Sequence, residues 1–134
     1  MRFLEKVKDG GKDSPVDAYV LLEIKCLFSI MVLKFNKGSR VAFHTHAFNA
    51  LTWFIKGNMY EHKITRLGEP KTQYTRSVLP KVTTKDNLHK VVAVEDSWCF
   101  TLRGKWQDTW EEYCPESKEH TTLTHGRKVI RTYK

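Results

Sequence analysis

The sequence has few of the features that would place it outside the ordinary globular class. Its three cysteines, Cys26, Cys99 and Cys114, form no Cys-x-x-Cys pair and leave one over. That argues against a disulfide frame and for reduced thiols, as in a cytoplasmic protein. The longest apolar runs, Tyr19 to Leu22 and Ile30 to Leu33, are far too short to cross a bilayer. Met1-Arg2-Phe3-Leu4 leads directly into Glu5 and Lys6, without the basic start and apolar run of a signal peptide. A cytoplasmic location is therefore expected. There are no internal repeats, no low-complexity tract and no block of five like charges. Acidic residues are the scarcer sign, 15 against 23 Lys and Arg, for a net charge of +8. A surplus of that size favours anionic partners such as nucleotides, phosphorylated metabolites or nucleic acid, although no nucleic-acid motif is present. Because the cations are scattered, solubility alone is an equally good account of them.

What is present is the material of one globular domain. The 134 residues are 40% hydrophobic and 28% charged, long enough to bury a core without staples, and are read as a single domain, 1–134. Short runs rich in Val, Ile, Phe, Thr and Trp alternate with turn formers at intervals of about 8 to 12 residues, the signature of a sandwich or barrel. Extended segments are expected over Ala18–Lys25, Leu27–Phe35, Arg40–Ala47, Asn49–Lys56, Met59–Thr65, Gln73–Leu79, Leu88–Val94 and Ser97–Arg103. Lys56-Gly57-Asn58 is a hairpin turn and Pro80 ends a strand. For 17–25 a helix also fits, since Val20, Leu21, Ile24 and Leu27 make a helical stripe. Residues 1–17 are either an edge strand or a loose segment around Asp9-Gly10-Gly11. After Gly104, Trp106–Tyr113 reads as a helical turn or an irregular strand, Cys114–Glu119 as a loop, and Thr121–Thr124 and Lys128–Tyr133 as strands.

The chemistry centres on His44-Thr45-His46. On a strand, residues two apart share a face about 7 Å apart along the chain, so two imidazoles reach one metal ion. His89, inside a later strand-like run, offers a third. Three histidines leave coordination positions open, which suits catalysis, and imidazole alone does not choose among divalent metals. The alternative is that they line a barrel interior and meet only water or an organic ligand. Glu61, on the return strand of the Gly57 hairpin, is the candidate metal-binding carboxylate or general base, or else a strand Glu that faces water. Arg103 and Arg40 share faces with Cys99 and His44, and either can grip a carboxylate or phosphate at a barrel mouth or stand as a surface cation. Cys99 is expected to be buried and inert, and His62 and His120 to be exposed. His125-Gly126-Arg127 is either an anion-binding turn or a structural one.

The stretch Gly38 to Gly57, with His44 and His46 at its centre, resembles the first motif of the cupin family. His89 matches the histidine of the second motif, and the resemblance covers about residues 38–105. The chain departs from that pattern twice: Ala50 or Leu51 stands where the motif has Glu, and the Pro-x-Gly before the last His is missing. The phrases His44–Trp53, Trp98–Gly104 and Leu123–Arg127 also look like those of small cupin-like proteins of tailed phages and bacteria. The resemblance implies an all-β, cupin-type barrel (a double-stranded β-helix or jelly roll) with an irregular C-terminal extension. It also implies one divalent transition metal, Fe, Mn, Ni or Zn, and dioxygenase or isomerase chemistry if the protein is an enzyme. A homodimer paired through its sheets is implied as well, with the apolar segment Tyr19–Phe35 as its interface. Two functions follow: a metal-dependent protein acting on an anionic small molecule, or a non-catalytic protein that sequesters a nucleotide-like signal or contacts nucleic acid or a host protein.

Overall fold

The computed structural model describes residues 1–9, 14–39, 43–124 and 129–133. The described residues form the strands β1 (Arg2–Lys8), β2 (Val16–Ile24), β3 (Phe28–Phe35), β4 (Phe43–His44), β5 (Ala50–Lys56), β6 (Met59–Lys63), β7 (Lys71–Gln73), β8 (Lys81–Thr83), β9 (His89–Ala93), β10 (Ser97–Arg103), β11 (Thr109–Cys114), β12 (Glu119–Thr124) and β13 (Val129–Tyr133). They form two antiparallel sheets, one in the order β1-β2-β3-β10-β5-β8 and the other β13-β12-β11-β4-β9-β6-β7. No described residue is helical.

Alternation decides the faces. In β10, Ser97, Cys99, Thr101 and Arg103 are buried while the residues between them are half-buried, so one face is inside. The same register carries Met31 and Leu33 of β3 and Ala18 and Val20 of β2 to the interior, where they make the larger core cluster. Met59, Ala93 and Cys99 make a second one. Val20, Met31, Leu33 and Met59 are each worth about 1.5–3 kcal/mol of apolar burial. Gly57 turns the β5–β6 hairpin at φ +115°, and a Cβ there would lie 2.5 Å from the Cα of Ser97. Only glycine fits that turn.

Several expectations hold and several are corrected. Residues 16–24 form a strand, because an isolated helical stripe cannot pair with β3 and β1 on both edges as β2 does. Residues 2–8 form the edge strand β1. The strand expected over Gln73–Leu79 is wrong: β7 covers Lys71–Gln73, residues 74–80 are not strand, and β8 lies where no strand was expected. The alternation there is misleading, since Val78 and Leu79 are exposed and face no partner strand. The ligand strand is shorter than Arg40–Ala47. Among its described residues, 43–47, Phe43 and His44 pair as strand, and Thr45 and His46 are held singly by Glu111 and Lys85. The described residues after Gly104 form β11, β12 and β13, paired in that order with a register shift at Thr122/Leu123, and Trp110 stands inside β11 rather than in a helical turn.

Candidate metal centre

Two neighbouring strands of the second sheet bring the histidines together: His44 of β4 is paired directly with His89 of β9. His46 follows just past the end of β4. The backbone N–H of Thr45 donates to Glu111 at 2.8 Å and that of His46 to Lys85 at 3.1 Å, which fixes the turn from which the third ring projects. The three rings form a nearly equilateral triangle, with centroids 4.9, 5.0 and 4.8 Å apart and planes 70–78° from one another. One nitrogen from each lies within 4.8 Å of the others. His89 Nε2 and His46 Nε2 are 3.4 Å apart. Two imidazole nitrogens about 2.1 Å from one tetrahedral ion would be roughly 3.4 Å apart, so the residues present fit a metal.

Glu61 stands behind His89 and does not line the cavity. It is fully buried, accepts from Lys81 Nζ at 3.1 Å and Asn87 Nδ2 at 3.2 Å, pairs with Lys63 at 3.5 Å, and takes a short hydrogen bond from His89 Nδ1. Burial alone would raise its pKa. The His89 hydrogen bond and the Lys81 charge outweigh burial and bring the carboxyl down to about 2. An ionised partner at Nδ1 fixes the proton there and leaves the Nε2 lone pair toward His46. The expectation that Glu61 itself meets metal or substrate gives way to a geometry in which it acts through His89. Nor does it face water. Burial, then the neighbouring His89 and Arg103, pushes His46 down to about 3, so its ring is neutral and ready to bind a cation. Its Nδ1 is buried without a hydrogen-bond partner.

The triangle opens into a cavity of about 500 Å³ lined by residues of both sheets. Ala50, one of the two positions (with Leu51) where the first cupin motif would have Glu, is part of its wall. Arg103 lines it too, and is buried at 6% exposure rather than standing at the surface. Its guanidinium grips Asp9 with two hydrogen bonds, 3.2 and 2.7 Å, and lies 4.5 Å over the ring of Phe48. Phe48 in turn contacts His46 and Trp106, and Lys25 covers the Trp106 ring at 4.6 Å. Tyr74, also in the wall, is held neutral by burial. Cys99 is buried and its thiol is pushed up to about 12, an inert group as expected.

Arg40, His125 and Arg127 lie outside the described residues. His62 and His120 are corrections: both are half-buried, His62 edge-on to Phe43 at 5.0 Å and His120 stacked on Tyr133 at 4.9 Å. Sequence reasoning missed Lys81, Asn87 and Asp9. The first two stand between Pro80 and His89, where no element was expected, and Asp9 meets Arg103 across 94 residues. For none of the three does local patterning give a signal.

No family model matches the chain, and no curated protein resembles it in sequence. Solved structures do resemble it in shape. A sugar phosphate isomerase of the cupin superfamily from Silicibacter pomeroyi superposes with a TM-score of 0.62 at 12% identity, over 96% of this chain and 88% of that one. A cupin domain from Bordetella pertussis gives 0.53 at 17% identity, over 72% and 99%. The iron(II) form of HppE with substrate gives 0.56 at 8% identity, over 74% of this chain and 55% of that one. Likeness at such low identity speaks to architecture. The chain has the all-β barrel fold of the cupins.

Proposed function

We propose that this chain is a metal-binding cupin-type protein in which His44, His46 and His89 hold one divalent transition ion, Fe, Mn, Ni or Zn, beside a cavity that takes an anionic small molecule. The observation that carries the reading is the imidazole triangle backed by the buried Glu61 carboxylate. When bound, such an ion supplies Lewis acidity, or a centre for dioxygen chemistry, at positions the three rings leave open. The protein's own groups do the rest. Glu61 orients His89 and fixes the tautomer that presents Nε2 as the ligand atom. Arg103, Lys8 and Lys25 give the cavity its positive lining, with Asp9 as one opposing charge. Phe48 and Trp106 wall the approach to His46.

The outer face of the first sheet supports pairing of two copies. Tyr19 stacks on Trp98 and Trp53 packs against Phe100 on that face, while Leu51 and Val82 beside them are exposed. Of the Tyr19–Phe35 segment, Val20, Met31 and Leu33 turn inward, leaving Leu21 and Phe28 available to a partner.

Elemental analysis of protein purified without chelator, beside His44→Ala, tests the metal reading. About one equivalent in the parent and little in the variant is the expected result. Equal content in both would overturn the ligand assignment.

A further inference from the structure

The cavity is not uniformly polar. Along the inner face of the first sheet, three rungs of paired apolar residues follow one another: Val20 with Met31, Ala18 with Leu33, and Val16 with Phe35. All six line the cavity. Successive rungs are about 7 Å apart, so the floor runs roughly 14 Å. The next position on β3 beyond Met31 is Ser29, which pairs with Arg103. Arg103 therefore stands at the head of the floor.

Its fork is turned along that floor rather than out of the barrel. Asp9, its partner, follows β1, whose Val7 and Lys8 pair with Ala18 and Asp17 toward the far rungs. Each terminal guanidinium nitrogen donates to one Asp9 oxygen, so the chain's own carboxylate demonstrates what the fork binds. The Asp9 side chain is one-third exposed, whereas that of Arg103 is 6% exposed. The carboxylate is thus the exchangeable member of the pair.

We infer that the cavity binds an amphipathic monocarboxylate, whose head replaces Asp9 on Arg103 and whose hydrocarbon body lies on the β2–β3 floor. Asp9 acts as an internal occupant that leaves the guanidinium paired until ligand arrives. This rests on the reading that the cavity takes an anionic small molecule, and adds the apolar body and the exchange.

The test is calorimetric titration of the full chain with acetate, butanoate, hexanoate, octanoate and octanol, with and without chelator. Each buried methylene contributes about 0.8 kcal/mol, so from butanoate to octanoate Kd should fall roughly three- to four-fold per methylene. Octanol, lacking the head, should bind far more weakly than octanoate. Asp9→Asn removes the occupant and should tighten octanoate binding by about five-fold. Ala18→Leu fills the floor and should weaken octanoate while leaving acetate unchanged. It also keeps the test open if Asp9→Asn folds poorly. Short carboxylates that bind through Arg103 with no dependence on chain length would overturn the amphipathic class and leave the anionic reading standing. Octanoate binding no tighter in folded Asp9→Asn would overturn the exchange. No carboxylate binding in either protein would overturn both.

Discussion

Glu61→Gln keeps the shape of a side chain and removes its charge, so it isolates the role of the buried carboxylate. In the native protein both oxygens are engaged, Oε1 by Lys81 and Lys63 and Oε2 by Asn87 and His89. An amide offers one acceptor oxygen and places an N–H₂ among donors, so it serves His89 or the lysine side but not both. Breaking a buried ion pair costs about 3–5 kcal/mol when the remaining charge cannot reach water. The side chains of Lys81 and Lys63 are 27% and 35% exposed and can turn outward, which brings the expected loss down to about 1–3 kcal/mol. In a domain of this size that lowers Tm by roughly 3–5 °C per kcal/mol. Metal affinity should fall by about 10- to 100-fold, because His89 loses the partner that fixes its tautomer. Thermal unfolding in chelator gives the first number and calorimetric titration with Zn²⁺ the second. A folded variant that binds Zn²⁺ within two-fold of the parent would refute the positioning role. An unchanged Tm would refute the buried ion-pair network.

Further outcomes follow from other parts of the structure. Gly57→Ala forces a Cβ against Ser97 at a positive φ and should destabilise by about 2–4 kcal/mol in urea unfolding, and a loss below 0.5 kcal/mol would contradict the close approach. Thiol labelling under native conditions should modify Cys26, which is exposed, and Cys114, whose pKa hydrogen bonds with Ser117 lower, while Cys99 stays unlabelled until unfolding. Hydrogen bonds from Lys8 and then Asn36 hold Asp17 below its ordinary value of 3.8. Its folded pKa is thus below its unfolded one, so its stabilisation is complete above that value and lost as pH falls through the folded pKa. Asp17→Asn should therefore flatten the acid limb of the Tm–pH curve, and an identical limb would refute the contribution. Size measurement by light scattering should find two copies per particle, and Phe100→Lys on the outer face should yield one.

Periodicity made most of the barrel readable. Residues 97–103 alternate so cleanly that β10 is visible to the residue, and the Lys56-Gly57-Asn58 turn fixes the β5–β6 hairpin. The histidines were legible because His44 and His46 are local neighbours and His89 sits in a strand of its own. Contacts set by sheet order were not. Glu61 could be placed near the site from its hairpin, yet whether it met the ion or stood behind a ligand depended on β6 lying next to β9. Arg103 read more readily as a surface cation than as a mouth residue, because its partner Asp9 comes from the opposite end of the chain. The failure over 73–79 has a different cause. Val78 and Leu79 are apolar without being buried, so the hydrophobic pattern marked a strand where no neighbour was available to pair with it.

The most direct test of the three-histidine centre is X-ray absorption at the metal edge of the zinc-loaded protein. The account predicts three imidazole nitrogens at about 2.1 Å, with the remaining positions filled by light exchangeable ligands. It also predicts two imidazoles in His46→Ala and an unchanged first shell in Glu61→Gln at saturating zinc. A shell with fewer than three imidazoles in the parent, or with a carboxylate that disappears in Glu61→Gln, would contradict it.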